Sequence, residues 1–134
     1  MTETQTIRAI LATCRTVAVV GLSPKPHRDS FDVARVMQEQ GWRIIPINPN
    51  ATRILGETAY PSLIEAAARE RIELVNVFRN SADVLPVAQD AVAIGAKALW
   101  LQLGIENAEA AQLATAAGLL VVQNRCLKVE WARR

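Results

Sequence analysis

The chain has 134 residues, of which 51% are hydrophobic and 21% charged, with a formal net charge of +2 at pH 7. That length suits one domain with its own core; the apolar share excludes a disordered tail, and no segment approaches the ~18 apolar residues that span a bilayer. The small charge and the 4% aromatic content argue against a nucleic-acid partner, since phosphate neutralisation and base stacking both lack their residues.

The opening MTETQTIRAILATCRT places an acid and threonines ahead of any basic residue and has no long apolar centre. It does not resemble a secretion signal, and a cytoplasmic location is expected. Within it, Thr4 to Thr13 puts Ile7, Ile10 and Leu11 on one side of an expected amphipathic helix. Val17 to Val20 then has no polar alternation, as expected of a strand covered on both faces. Gly21 ends that strand, and the next loop carries Ser23, Lys25, His27 and Arg28. Asp29 or Ser30 is the expected cap of a helix starting near Phe31, which Gly41 stops.

A second strand is expected at Arg43 to Ile47. Ser62 with Glu65 makes a capping box for the short SLIEAAARER helix. The third strand, Leu74 to Phe78, precedes a helix within Ser81 to Ile94 that tolerates Pro86 in its first turn and ends at Gly95. The fourth strand is Ala98 to Leu101. Asn107 caps AEAAQLATAA, Gly118 stops it, and Leu119 to Val122 is the fifth strand.

Apolar strands alternating with helices define an α/β chain: a Rossmann-like, doubly wound, five-stranded parallel sheet with helices on both faces, as a single domain over residues 1–134. Right-handed crossovers wound in both directions from the first strand give an expected order of three, two, one, four, five. Ligands of such sheets sit beyond the carboxyl ends of the strands. The polar clusters Gly21 to Ser30, Asn48 to Arg53, Phe78 to Ser81, Gln102 to Glu106 and Gln123 to Lys128 all fall there.

A dinucleotide fits poorly. Its fingerprint wants two further glycines after the first and an acid ending the second strand; this chain has Leu22, Ser23, Pro24, Lys25 and Pro26 after Gly21, and Asn48, Pro49 and Asn50 after the strand. A Walker phosphate loop is also absent. Cys14 and Cys126 are too few and too far apart for a disulfide framework or a zinc site. The lone His27 reads as a surface loop residue, and Trp42, Trp100 and Trp131 read as packing aromatics.

A loop with hydroxyl and cationic groups before a helix N-terminus suits a phosphate-bearing ligand. Taken as a set, VAVVGLSPKPHRDS, IIPINPNA, ILGETAYPSL, VNVFRNSADV, GAKALWLQLGIENAEAA and LLVVQNRCLKVE cover nearly the whole chain. The set resembles the CoA-binding domain family, and in particular its small single-domain members related to the N-terminal domain of the succinyl-CoA synthetase alpha subunit.

The resemblance implies a coenzyme A or acyl-CoA ligand and assigns positions to it. Gly21, Leu22 and Ser23 match the turn that holds the CoA diphosphate, with Lys25 and Arg28 as cationic support. Asn48 and Pro49 match the turn beside the adenosine. Val77, Phe78 and Arg79 match the third-strand end along the ligand. Where relatives often place a basic residue directly after the Asn-Pro pair, this chain has Asn50, with Arg53 three residues on; either Arg53 contacts the ribose 3′-phosphate or nothing does.

The ligase chemistry of succinyl-CoA synthetase resides in a separate domain, so the resemblance covers a binding half alone, and no catalytic constellation stands out in the polar clusters. The reading is a non-catalytic CoA-binding protein. Two alternatives stay open: a small enzyme acting on a CoA thioester or phosphorylated metabolite, using His27, Asp29 or Cys126, and a protein-interaction module with a vestigial crevice. A homodimer or another protein partner is left open.

Overall fold

A computed structural model describes all residues 1–134. Five parallel strands form the sheet: β1 (Thr16–Val20), β2 (Arg43–Ile47), β5 (Leu74–Val77), β6 (Ala98–Leu101) and β7 (Leu120–Val122), with a hairpin of β3 (Arg53–Ile54) and β4 (Glu57–Thr58) outside it. Six helices flank these strands: α1 (Glu3–Thr13), α2 (Asp29–Glu39), α3 (Leu63–Ala67), α4 (Val84–Ala93), α5 (Ala108–Ala116) and α6 (Leu127–Arg133). None of them is long and apolar enough to cross a membrane.

Successive side chains of a strand point to opposite faces, and here both faces are covered. Val17 and Val19 join the helices α1, α2 and α6 in one core, while Ala18 and Val20 join α3, α4 and α5 in the other. The three tryptophans sit in the first core, as packing aromatics should. Trp42 and Trp131 meet edge to face at 5.5 Å, and the Arg15 guanidinium lies 4.7 Å from the Trp131 ring centre.

The strand order is β2-β1-β5-β6-β7, so the third strand in the sequence lies beside the first, not outside the second. This corrects the expected order. The cause is at the β2 edge: Tyr60 forms a parallel bridge with Ile47, its N–H donates to Pro46 O at 3.0 Å, and its carbonyl accepts from Asn48 N at 2.9 Å. That edge is occupied before the chain reaches β5, which pairs with β1 instead. The winding therefore reverses between β1 and β5, and that is where the ligand crevice of a doubly wound sheet opens.

Three local expectations also change. Helix α2 begins at Asp29 with Arg28 as its cap residue, and no side chain caps it. The third strand stops at Val77, leaving Phe78 outside. The segment after β7 forms a sixth helix, with Leu127 and Trp131 buried on one side. The caps at Ser62 and Asn107 are present, their side-chain oxygens accepting from Glu65 N at 3.2 Å and Ala110 N at 2.9 Å, but the Glu65 side chain makes no return bond to Ser62 N, so the expected capping box is half formed.

Candidate functional site

Gly21 leaves β1 at φ +86°, a backbone region open to glycine. A β-carbon there would stand 2.3 Å from the carbonyl oxygen of Phe78. The turns after β1 and β5 are thus in backbone contact, and the first loop lies directly against the end of the third sheet strand.

The loop after Gly21 is pinned from both sides. Leu22 is fully buried in the core, and its carbonyl accepts from Asn48 Nδ2 at 2.9 Å. Ser23 N donates to Ser30 Oγ at 3.0 Å, and Ser23 Oγ accepts from Lys25 N at 3.1 Å. Ser30, expected as a possible cap, instead braces the loop that precedes its helix. This leaves the first amides of α2 without a side-chain partner, facing the loop where Lys25 and Arg28 are exposed and unpaired. A cleft of about 420 Å³ lies between Gly21, Ser23, Lys25, Arg28 and Phe78.

Phe78 and Asp29 also line a second cleft of about 710 Å³, which runs past Arg79, Ser81 and Gln102 to Cys126 and Lys128. Arg79 makes no ion pair. At the far edge Lys128 Nζ and Asp32 Oδ2 meet at 2.7 Å, joining α6 to α2, and Asp32 also pairs with Arg35 at 2.9 Å. The hydrogen bond from Lys128, followed by that from Arg35, holds the Asp32 carboxyl below its ordinary range. With the ionised Asp32 balanced by its pairing to Lys128 and Arg35, Lys25, Arg28 and Arg79 outnumber the one unpaired acid of the two clefts, Asp29. The combined groove favours an anion.

The structure places Gly21, Ser23, Lys25 and Arg28 on the smaller cleft and Arg79 on the larger, with Phe78 in the wall of both. Leu22 and Val77 stand behind them with their side chains in the core, so only backbone atoms of these two face outward. Asn48 is occupied on both sides, since its Oδ1 accepts from Asn50 N at 2.7 Å while Nδ2 holds Leu22. Pro49 and Arg53 line neither cleft; the Arg53 guanidinium donates to the carbonyl of Gly56 within its own hairpin. His27 is exposed and also outside both clefts.

The larger cleft also brings in the polar residues Asp32, Asn80, Ser81, Gln102 and Lys128, which lie outside the site expected from the sequence, although all but Asp32 fall in polar clusters at strand ends. No group of three His, Cys, Asp or Glu side chains is placed to hold a metal ion.

A five-stranded parallel sheet covered by helices on both faces, with clefts beside its switch point, defines a Rossmann-like α/β domain. The chain belongs to the CoA-binding domain family, which it matches over residues 15–132. It is 40% identical over 126 residues to YneT, an uncharacterized protein of Bacillus subtilis (strain 168), covering 94% of this chain and 92% of that protein. A hypothetical protein from Pyrococcus horikoshii OT3 superposes with a TM-score of 0.92 at 36% identity, over 99% of this chain and 92% of that one. A Thermus thermophilus protein does so with a TM-score of 0.90 at 34% identity, over 99% and 98% respectively.

Proposed function

We propose that this protein binds coenzyme A or an acyl-CoA without transforming it, the diphosphate over the first loop and the remainder of the ligand along the larger cleft. The observation that carries this reading is that the two clefts lie side by side and share Phe78 and Asp29 in their walls. A helix N-terminus without a side-chain cap, beside two unpaired cations, suits a diphosphate. The trough leading away from it has the volume of an ordinary small-molecule site. Family membership supports the same ligand. A cytoplasmic location accords with two free cysteines.

Calorimetric titration with CoA, acetyl-CoA, dephospho-CoA and NAD at fixed salt tests the proposal. Saturable binding of CoA, absent for NAD, supports it; heat with NAD and none with CoA overturns it. Loss of affinity for dephospho-CoA relative to CoA assigns a contact to the 3′-phosphate, and Arg53→Ala then decides whether the hairpin supplies it. A second reading, an enzyme acting on a CoA thioester, draws on Asp29 and Cys126 lining one cleft; turnover of acyl-CoA esters would establish it in place of simple binding.

A further inference from the structure

Gln102 follows β6 and lines the larger cleft, yet it is only 6% exposed. Its amide orientation is set by two backbone groups that cannot rotate. Leu127 N donates to Gln102 Oε1 at 3.3 Å, so the oxygen must face α6. Asn76 Nδ2 donates to the Trp100 carbonyl at 3.4 Å and to the same Gln102 Oε1 at 3.3 Å, so the asparagine presents its donor as well. Flipping Gln102 would leave Leu127 N without an acceptor and set two donors against each other. Asn76 Oδ1 is left buried without a partner in this arrangement. The consequence is that Gln102 Nε2 donates to no protein group and opens on the cleft.

A nearly buried amide with its oxygen doubly engaged and its N–H groups free is a preset donor for an acceptor oxygen. From this we infer that Gln102 reads a carbonyl oxygen on the arm of the ligand lying in the larger cleft, an amide of the pantetheine or the thioester carbonyl of an acyl-CoA. The inference rests on the CoA reading above, and adds a residue that selects for the arm rather than for the nucleotide. Phe78, shared by both clefts, marks where the ligand passes from the phosphate loop toward Gln102. Asn76, from the middle of β5, is then a positioning residue.

The test is Gln102→Glu. Glutamate keeps an oxygen for Leu127 N and Asn76 Nδ2, replaces the donor facing the cleft with an acceptor and adds a negative charge, for which the arm-less bisphosphate is the control. Affinities for CoA, acetyl-CoA and adenosine 3′,5′-bisphosphate, which lacks the arm, are compared in both proteins. The expected result is at least a tenfold loss for CoA and acetyl-CoA with the bisphosphate unchanged. A loss confined to acetyl-CoA supports the inference too, and assigns the thioester carbonyl. Unchanged CoA and acetyl-CoA binding, or equal loss of all three ligands, overturns the role of Gln102 while the CoA reading stands; a wild-type protein that binds none of them overturns both. Should the variant not fold, the Gln102 side-chain amide signal of the wild-type protein in ¹H–¹⁵N NMR decides. It shifts with CoA and not with the bisphosphate if the inference holds, and shifts with neither or with both alike if it fails.

Discussion

The carbonyl oxygen of Phe78 occupies the space a β-carbon on residue 21 would need, 2.3 Å from its ideal position. This one approach couples the first turn to the third sheet strand. Gly21→Ala meets both a positive φ and a backbone oxygen that no rotamer change removes. A destabilisation on the order of 3 kcal/mol or more is expected. Urea denaturation should show a lowered midpoint with an unchanged slope; a midpoint like that of the wild type would mean the two turns can separate freely.

Arg79 is exposed, unpaired and on the wall of the larger cleft. Its removal should cost binding without costing the fold. For Arg79→Ala the expected outcome is a CoA affinity lower by roughly 5- to 50-fold, a deficit that narrows as salt is raised, together with an unaltered thermal midpoint. Equal affinity in titrations at low salt would place the ligand's charge elsewhere.

Asn48 acts as a brace between the first loop and its own turn, through Leu22 O and Asn50 N. Asn48→Ala frees both ends, with an expected loss of about 1–2 kcal/mol in stability. Hydrogen exchange should quicken at Asn50, whose amide loses its acceptor, and in the neighbouring turn. Unchanged protection there would show that the turn is held by other contacts.

Glu70 accepts a two-pronged hydrogen bond from Arg43 at 2.8 and 2.9 Å and another from Tyr60 at 2.9 Å. The Arg43 guanidinium is the main reason its carboxyl lies below the ordinary range. A carboxyl whose folded value is depressed stabilises the native state above its unfolded value, and that contribution is lost as pH falls through the folded one. The loss should therefore appear below about pH 4. Because Arg43 is half exposed, the contribution is about 0.5–1 kcal/mol. Glu70→Gln should flatten the acid limb of a stability-against-pH curve by that amount while leaving its shape above pH 6 intact; an unchanged acid limb would mean the pair contributes nothing.

Strands were legible where their signal is local. Arg43–Ile47 and Ala98–Leu101 have the bounds expected from their apolar runs, because a covered parallel strand writes its burial on nearly every residue. The order of the strands is not written locally. It turns on Tyr60, thirteen residues after Ile47, returning to fill the β2 edge. Helix α6 had a signal in Leu127 and Trp131, four residues apart, but it lacks a capping side chain and is short. Gly21, Ser23, Lys25 and Arg28, which line one cleft, come from one contiguous stretch and so stand together in the sequence. Gln102 was readable only as a polar residue at a strand end, since its role depends on a backbone amide at Leu127 and a side chain on β5.

The Tyr60 bridge has an effect on how this chain meets its own kind. An exposed sheet edge is a template on which another molecule can add a strand. At β2 the positions beyond Pro46 and Ile47 are already taken by the chain itself. The opposite edge, β7, is three residues long and offers little to pair with. Self-association by sheet extension is thereby disfavoured at both ends.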